Sequence, residues 1–202
     1  MPALGLVGLA LAGCRFSTVE PTPFVGRMPT AIAVWPGVHA DYAAFSPSLS
    51  SGLDAALAGR GYHMVSMAVG RQLLGDAGLW RDDLAQPADL AVAGDVLAVD
   101  AILVFEVRDY EDRSDDGGRR LLQARWDLGW RLLSTRGDGV LWQHSHHGNW
   151  RRRDEDGFDP LHRLDAPPAT VPLGGDGSWR FRDREDLMAN LHLLAMQHLP
   201  RR

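Results

Sequence analysis

The strongest secondary-structure pattern in this 202-residue chain is Leu122-Gln123-Ala124-Arg125-Trp126-Asp127-Leu128-Gly129-Trp130-Arg131-Leu132. Apolar residues at the even positions alternate with polar residues or glycine at the odd positions, and a period of two predicts a β-strand with one face on a core. The turn residues Arg136-Gly137-Asp138-Gly139 follow, and Val140–Trp150 leads back. The two runs together predict a long antiparallel hairpin.

The residues before the hairpin predict a strand–helix–strand unit and a central strand. Thr30–Trp35 is a short apolar strand, Ser46-Pro47 opens a helix with a capping residue and a proline, and Tyr62–Ala68 is a second strand. Ile102-Leu103-Val104-Phe105 is apolar without alternation, which is typical of a strand covered on both faces.

Helical periodicity predicts two more helical regions. One spans Arg71 to Val96 and is interrupted by glycine and proline, and the other spans Asp186 to Leu199 near the carboxyl end. The segment 151–184 between hairpin and last helix is loop-rich. The predicted fold class is therefore α/β: a mixed sheet with a strand–helix–strand start, a long antiparallel hairpin and a C-terminal helix.

The amino terminus predicts a lipid anchor. Residues 3–13 form an apolar run that is shorter than the roughly 20 residues of a membrane-spanning helix and has the size of a signal-peptide core. It ends at Leu11-Ala12-Gly13-Cys14, which resembles the bacterial lipobox. The resemblance implies a signal peptide over residues 1–13, cleaved to leave a diacylglycerol and a palmitate on Cys14. Met1-Pro2 lacks the usual charged leader, so we expect a translation start further upstream.

The same resemblance implies a location. In such lipoproteins an aspartate after the cysteine favours the inner membrane, and here that residue is Arg15. We therefore expect acylated Cys14 to hold the protein on the periplasmic face of the outer membrane. Residues 14–28 are rich in proline, threonine and serine and predict a tether, and residues 29–202 predict a single periplasmic domain.

Composition excludes several classes of function. All 21 basic residues are arginine, so the lysine chemistry of P-loops, protein kinases and Schiff-base enzymes is absent. A net charge of −5 argues against nucleic acid as a partner. No Gly-x-Ser-x-Gly motif occurs, and the single cysteine is assigned to the lipid. We therefore expect no catalytic site and no cofactor.

A histidine cluster in the return strand suggests a metal site. Alternation places His144 and His146 on one face, together with Trp142, and two such imidazoles could chelate zinc. A third ligand would have to come from an acidic residue or from a distant histidine (His162, His192 or His198). The alternative is that His144, His146 and His147 are solvated or hydrogen-bonded at the strand end.

Two further groups have a functional and a structural interpretation. An acidic stretch fails the calcium-loop pattern and is interleaved with arginines, which favours a self-neutralised loop (Asp109, Glu111, Asp112, Asp115 and Asp116). Tryptophans on the apolar faces of strands predict core packing (Trp126, Trp130 and Trp142). Tryptophans in loop or edge contexts are candidates for exposed glycan recognition (Trp80, Trp150 and Trp179).

Five short blocks occur in order over roughly residues 29–150: Gly61-Tyr62, Gln86-Pro87-Ala88-Asp89-Leu90, Val99-Asp100-Ala101-Ile102-Leu103, Asp109-Tyr110 and Gly139-Val140-Leu141-Trp142-Gln143. Together with the lipobox they resemble a family of outer-membrane lipoproteins of no established function that includes a neisserial surface-antigen candidate. The resemblance implies a fold similar to the amino-terminal domain of TolB and to the periplasmic domain of the curli-secretion lipoprotein. It implies no catalytic residues.

These observations favour a non-catalytic outer-membrane lipoprotein that binds proteins in an envelope assembly or export apparatus. The family resemblance implies other envelope lipoproteins as partners, among them a curli-secretion-like one, and a homo-oligomer is a further expectation. Two alternatives stay open. One is a lipoprotein that binds peptidoglycan or regulates its synthesis, and the other is a metal-dependent hydrolase that uses the His144/His146 face.

Overall fold

The alternating stretch forms the strand β5 of a mixed sheet, in a computed structural model that describes residues 17–18, 24–38, 46–80, 86–115, 120–152 and 181–202. Within these residues six strands lie in the order β1-β6-β5-β4-β2-β3. The strands are β1 (Ser17–Thr18), β2 (Ala31–Val38), β3 (His63–Val65), β4 (Ala101–Ser114), β5 (Leu121–Ser134) and β6 (Val140–Arg151). The helices are α1 (Ser46–Leu49), α2 (Leu53–Ala58), α3 (Met67–Asp76), α4 (Leu90–Leu97) and α5 (Arg184–Gln197).

The predicted α/β class is confirmed in its main parts. The chain starts as a strand–helix–strand unit whose strands β2 and β3 are parallel, and β2 is also parallel to β4. β4, β5, β6 and β1 are antiparallel neighbours, so the sheet is mixed. The turn between β5 and β6 closes the predicted hairpin, and α5 is the predicted C-terminal helix.

The strand β4 is covered on both faces, as its unbroken apolar run predicts. Leu103 and Phe105 lie in the larger core, with α2, α5 and the inner faces of β5 and β6. Ile102 and Val104 lie in a second core, under α3 and α4. The helices α3 and α4 cover β2 and β4, whereas the outer face of β5 and β6 carries mainly exposed or half-buried polar side chains.

The strand β3 is shorter than predicted. It ends at Val65 rather than Ala68, because Ser66 caps the next helix. The Ser66 hydroxyl accepts a hydrogen bond from the backbone N–H of Val69 at 3.4 Å. The apolar residues that follow Ser66 therefore start α3 and do not extend β3.

The helix predicted from Ser46 onward is split into α1 and α2. Gly52 precedes α2 with a φ of 78°, which favours glycine. A Cβ atom placed on Gly52 would lie 2.6 Å from the Cβ of Ala189 in α5. Glycine at this position lets α2 approach α5 closely.

The segment predicted to be a tether is attached to the sheet. Ser17 and Thr18 pair with His147 and His146 as the short strand β1. Further along, the N–H of Val25 donates to the carbonyl of Leu141 at 2.9 Å, and Phe24 packs half-buried against the larger core. Parts of the predicted tether, residues 17–18 and Val25, thus contact the edge of β6, and the assignment of residues 14–28 as a tether stays a prediction. Residues 1–16, with Cys14, lie outside the described residues, within which no helix is long and apolar enough to span a membrane.

Candidate functional site

The histidines of β6 are buried in the larger core. Alternation along β6 turns Trp142, His144 and His146 to the same side, as predicted, and each is at most 6% exposed. His147 points to the other face and is exposed. The structure also brings His192 of α5 and His198 close to this group. Of the alternative that these histidines are solvated or hydrogen-bonded, the buried His146 agrees with the hydrogen-bonded form and neither His144 nor His146 is solvated.

His146 is held as a hydrogen-bond acceptor. The indole N–H of Trp126 donates to His146 Nδ1 at 2.9 Å, and the two rings stack with centroids 6.0 Å apart. Because Nδ1 accepts, a neutral His146 carries its proton on Nε2. Burial, and to a smaller extent His147 and His198, lowers the pKa of His146 from 6.5 to about 4.

His192 repeats this arrangement on the helix α5. The indole N–H of Trp130 donates to His192 Nδ1 at 3.1 Å, and His192 Nε2 donates to the carbonyl of Leu49 at 2.8 Å. Both ring nitrogens are therefore occupied in one tautomer. Complete burial lowers the pKa of His192 to about 4.

His144 lies between other rings. It stacks on Trp142 and on His198, with centroid distances of 6.1 and 4.8 Å. Its Nδ1 is buried and has no hydrogen-bond partner in the described part of the chain. Burial, followed by His198 and His146, lowers the pKa of His144 to about 4.

These hydrogen bonds occupy ring nitrogens that a zinc site in this cluster would need. A zinc-binding imidazole needs a free ring nitrogen, and the Nδ1 atoms of His146 and His192 already accept from tryptophan. Among the described residues no group of three histidine, cysteine, aspartate or glutamate side chains is arranged to hold a metal ion. His162, one proposed third ligand, lies outside the described residues. The cluster is thus a set of neutral, hydrogen-bonded or stacked rings inside the core.

The acidic stretch lies mostly in a strand and not in a loop. Asp109, Glu111 and Asp112 belong to β4, which runs to Ser114, and Asp116 lies outside the described residues. Arg125 of β5 forms ion pairs with Asp109 at 3.0 Å and with Glu111 at 3.3 Å. The predicted neutralisation by arginine is confirmed for these residues, and cross-strand pairing is what keeps a charged sequence in a strand.

A cavity of about 680 Å³ opens at the end of the sheet where β4 and β6 end and β5 begins. Tyr110, Trp150 and Arg184 line it together with Asp112. Arg184 makes two contacts with Asp112, at 2.6 and 2.9 Å, and Asp112 accepts from the Tyr110 hydroxyl at 3.0 Å. Burial, and then Asp112, raises the pKa of Tyr110, so this hydroxyl is a hydrogen-bond donor over the physiological range.

The tryptophans proposed for glycan recognition do not present free faces where the structure describes them. Trp150 is only 5% exposed, and its ring packs against Phe181 and under the guanidinium of Arg152. The expectation that Trp150 is exposed is wrong, because its position in β6 turns it inward. Trp80 is half-buried and packs on Trp35 with centroids 4.4 Å apart. Trp179 lies outside the described residues, whereas Trp126, Trp130 and Trp142 are buried as predicted.

The sequence interpretation missed an exposed apolar surface on the helices α3 and α4. Val69 and Leu73 of α3 and Val92 of α4 are 50%, 39% and 43% exposed. Val69 and Leu73 lie one helical turn apart, so they share one side of α3. The signal in the sequence is that apolar residues occur on more than one side of α3, since Leu74 faces the core. We call Val69, Leu73 and Val92 the helix-pair patch.

Comparison with known proteins identifies a shared fold. No protein-family model and no curated protein matches this chain. Among solved structures, it is similar to the PelC dodecamer from Paraburkholderia phytofirmans, with 10% sequence identity, 93% of this chain and 99% of that chain covered, and a TM-score of 0.53. A second similar structure is lipoprotein GNA1162 from Neisseria meningitidis, with 16% identity, coverage of 63% and 88%, and a TM-score of 0.49. The chain thus shares its fold with PelC.

Proposed function

We propose that this chain is a non-catalytic lipoprotein of the outer membrane, held on the periplasmic face through Cys14, that assembles with copies of itself and binds other envelope proteins. The observation that carries the proposal is the fold that it shares with PelC, a dodecamer, over 93% of this chain and 99% of the other. The lipobox resemblance at Leu11-Ala12-Gly13-Cys14 supports the anchor. By the family resemblance, a curli-secretion-like lipoprotein is one candidate partner.

The described residues support a binding role over a catalytic one. His144, His146 and His192 are buried, and His146 and His192 already accept hydrogen bonds from tryptophan. Near the cavity, Arg184 is paired with Asp112, and Arg125 is paired with Asp109 and Glu111. A general acid or base must reach a substrate proton, and these groups are committed to contacts within the protein.

The helix-pair patch is the surface that best fits self-assembly. Val69, Leu73 and Val92 expose aliphatic side chains on two helices of one layer. Apolar side chains at the centre of an interface contribute most when they are fully desolvated. A second copy of the same chain could cover the exposed side chains of both helices at once.

The test is the oligomeric state of the full chain extracted from membranes in mild detergent, measured by native mass spectrometry. We expect an oligomer for the natural sequence and a monomer for Val92→Asp, because a buried charge without a partner disfavours the interface. Val140→Asp is the matched control, since Val140 is also 43% exposed but lies in β6. A monomeric natural chain, or equal effects of both substitutions, would contradict the proposal.

The anchor is tested separately by metabolic labelling with palmitate. The natural chain should incorporate label, and Cys14→Ser should not. Equal labelling of both would show that Cys14 is not the acylated residue, and it would remove the support for the membrane location without affecting the oligomer test.

A further inference from the structure

The direction of β1 determines which end of the sheet lies next to the proposed lipid. β1 is antiparallel to β6, with Ser17 opposite His147 and Thr18 opposite His146. The chain therefore enters β1 from the side where β6 ends, at Arg151. Cys14 precedes Ser17 by three residues, and three residues of extended chain span at most about 11 Å. A lipid on Cys14 would hold this end of the sheet close to the membrane surface.

Three exposed arginines lie at the same end. Arg113 is next to the last residue of β4, Arg151 is the last residue of β6, and both are opposite Gln123 of β5 in the sheet register. Adjacent strands are about 4.8 Å apart, so Arg113 and Arg151 start about 10 Å from each other. Arg120 directly precedes β5. Within the described residues none of the three has an ion pair.

The other charges at this end are already paired. Arg125 contacts Asp109 and Glu111, and Arg184 contacts Asp112. Other carboxylates described at this end also accept hydrogen bonds: Asp115 from the backbone N–H of Arg120 at 3.3 Å, Asp183 from the guanidinium of Arg182 at 2.9 Å, and Asp186 from the backbone N–H of Arg182 at 3.0 Å. The three arginines therefore form a cationic row on a chain whose net charge is −5.

We propose that Arg113, Arg120 and Arg151 contact the headgroups of anionic lipids, so that the end of the sheet where β4 and β6 end and β5 begins faces the membrane. This inference rests on the proposed acylation of Cys14. An anionic surface attracts each arginine near it, and loss of one such contact lowers membrane affinity about fivefold. Because salt screens the attraction over roughly 10 Å at 0.1 M, the orientation should weaken at high ionic strength. The lipid on Cys14 and the cationic row would both contribute to membrane binding.

The experiment uses the acylated full chain in vesicles of phosphatidylethanolamine and phosphatidylglycerol. With Cys14 acylated, no other cysteine is present, so a single introduced cysteine can carry a fluorophore. Gln123→Cys places it between the arginines, and Val140→Cys places it at the other end of the hairpin, roughly 30 Å away. We expect lipids with a spin label in the headgroup to quench the fluorophore at 123 and not the one at 140.

Matched variants distinguish the contribution of the three arginines from that of the lipid on Cys14. Arg113→Gln, Arg120→Gln and Arg151→Gln together should reduce the difference in quenching between positions 123 and 140 while the protein stays in the vesicle fraction. The control is the triple variant Arg27→Gln, Arg71→Gln and Arg201→Gln, which removes the same charge from exposed positions elsewhere. In this control the difference in quenching between positions 123 and 140 should stay as in the natural sequence. Equal quenching at 123 and 140 in the natural sequence, or no effect of the first triple variant, would overturn the inference with the anchor intact. Absence of palmitate on Cys14 would overturn both.

Discussion

At the scale of single residues, the indole N–H groups of β5 explain the histidines. A buried indole N–H needs an acceptor, and Trp126 and Trp130 find theirs in His146 and His192. The sequence predicted which side of β6 His146 occupies, because alternation depends only on strand geometry. It did not predict the acceptor of Trp130, because α5 is distant along the chain and only the packed structure brings it to β5.

The buried histidines make the stability of the protein depend on pH. The pKa values of His144, His146 and His192 are lowered to about 4 in the folded state, from 6.5. Between these pH values the unfolded chain binds more protons than the folded one, so stability rises with pH. Their contribution is complete above about pH 6.5 and is lost as the pH falls toward 4. The free energy of unfolding, measured with urea at pH 7 and pH 5, should be lower at pH 5.

His144→Leu isolates one of these groups. The Nδ1 of His144 has no partner in the described residues, so leucine removes a titrating group without removing a hydrogen bond from that atom. The loss of stability from pH 7 to pH 5 should be smaller in this variant, by at most about 1.4 kcal/mol per pH unit. His63→Leu, at an exposed position of β3, is the control. An unchanged pH dependence in His144→Leu would contradict the assignment.

At the scale of the elements, the boundaries of a strand were predicted more accurately where its sequence pattern is longer. β5 has a long alternation that no helix can satisfy, and it was predicted nearly to its ends. β3 has only three residues, which is too short for a period, so the side chain of Ser66 and not the apolar pattern sets its boundary. β4 was predicted only in its apolar half, because the charges after Val107 are satisfied by arginines that lie far along the sequence.

The packing of α4 and α3 predicts opposite effects on stability for a glycine in each helix, Gly94 and Gly75. A Cβ placed on Gly94 would lie 2.4 Å from the Cβ of Thr135, which is buried and donates from its hydroxyl to the carbonyl of Val99. Gly94→Ala should therefore lower the free energy of unfolding by about 1–3 kcal/mol, since the helix has to move away from the sheet. Chemical denaturation at neutral pH measures the change.

Gly75→Ala is the control for this substitution. Gly75 also lies in a helix, α3, and a Cβ there would meet nothing within 4 Å. Alanine should raise the free energy of unfolding by about 0.5–1 kcal/mol, because glycine loses more conformational freedom on folding. If both variants shifted stability in the same direction, the close approach of α4 to Thr135 would not be the cause.

At the scale of the whole molecule, the sheet has a well-paired centre and a weakly paired edge. β4 pairs along its length with β5 and along its first half with β2, whereas β1 contributes only two residues to the edge of β6. The sequence predicted the hairpin but not this covering of its edge, because Ser17-Thr18 is too short to carry a strand pattern. The attachment depends on contacts with residues more than a hundred positions away, such as that of Val25 with Leu141.

Hydrogen exchange should detect how the amino-terminal segment protects this edge. Phe24 packs half-buried against the larger core, and the next residue, Val25, donates its N–H to Leu141. Phe24→Ser removes the apolar contact, so the segment should open more often and the amide of Val25 should exchange faster, whereas the amides of β4 should not change. Val25→Ser is the matched control, because that side chain is 57% exposed and its backbone N–H remains. Faster exchange throughout β4 in Phe24→Ser would contradict this prediction. It would show that the segment around Phe24 unfolds together with the whole sheet and does not open separately from β6.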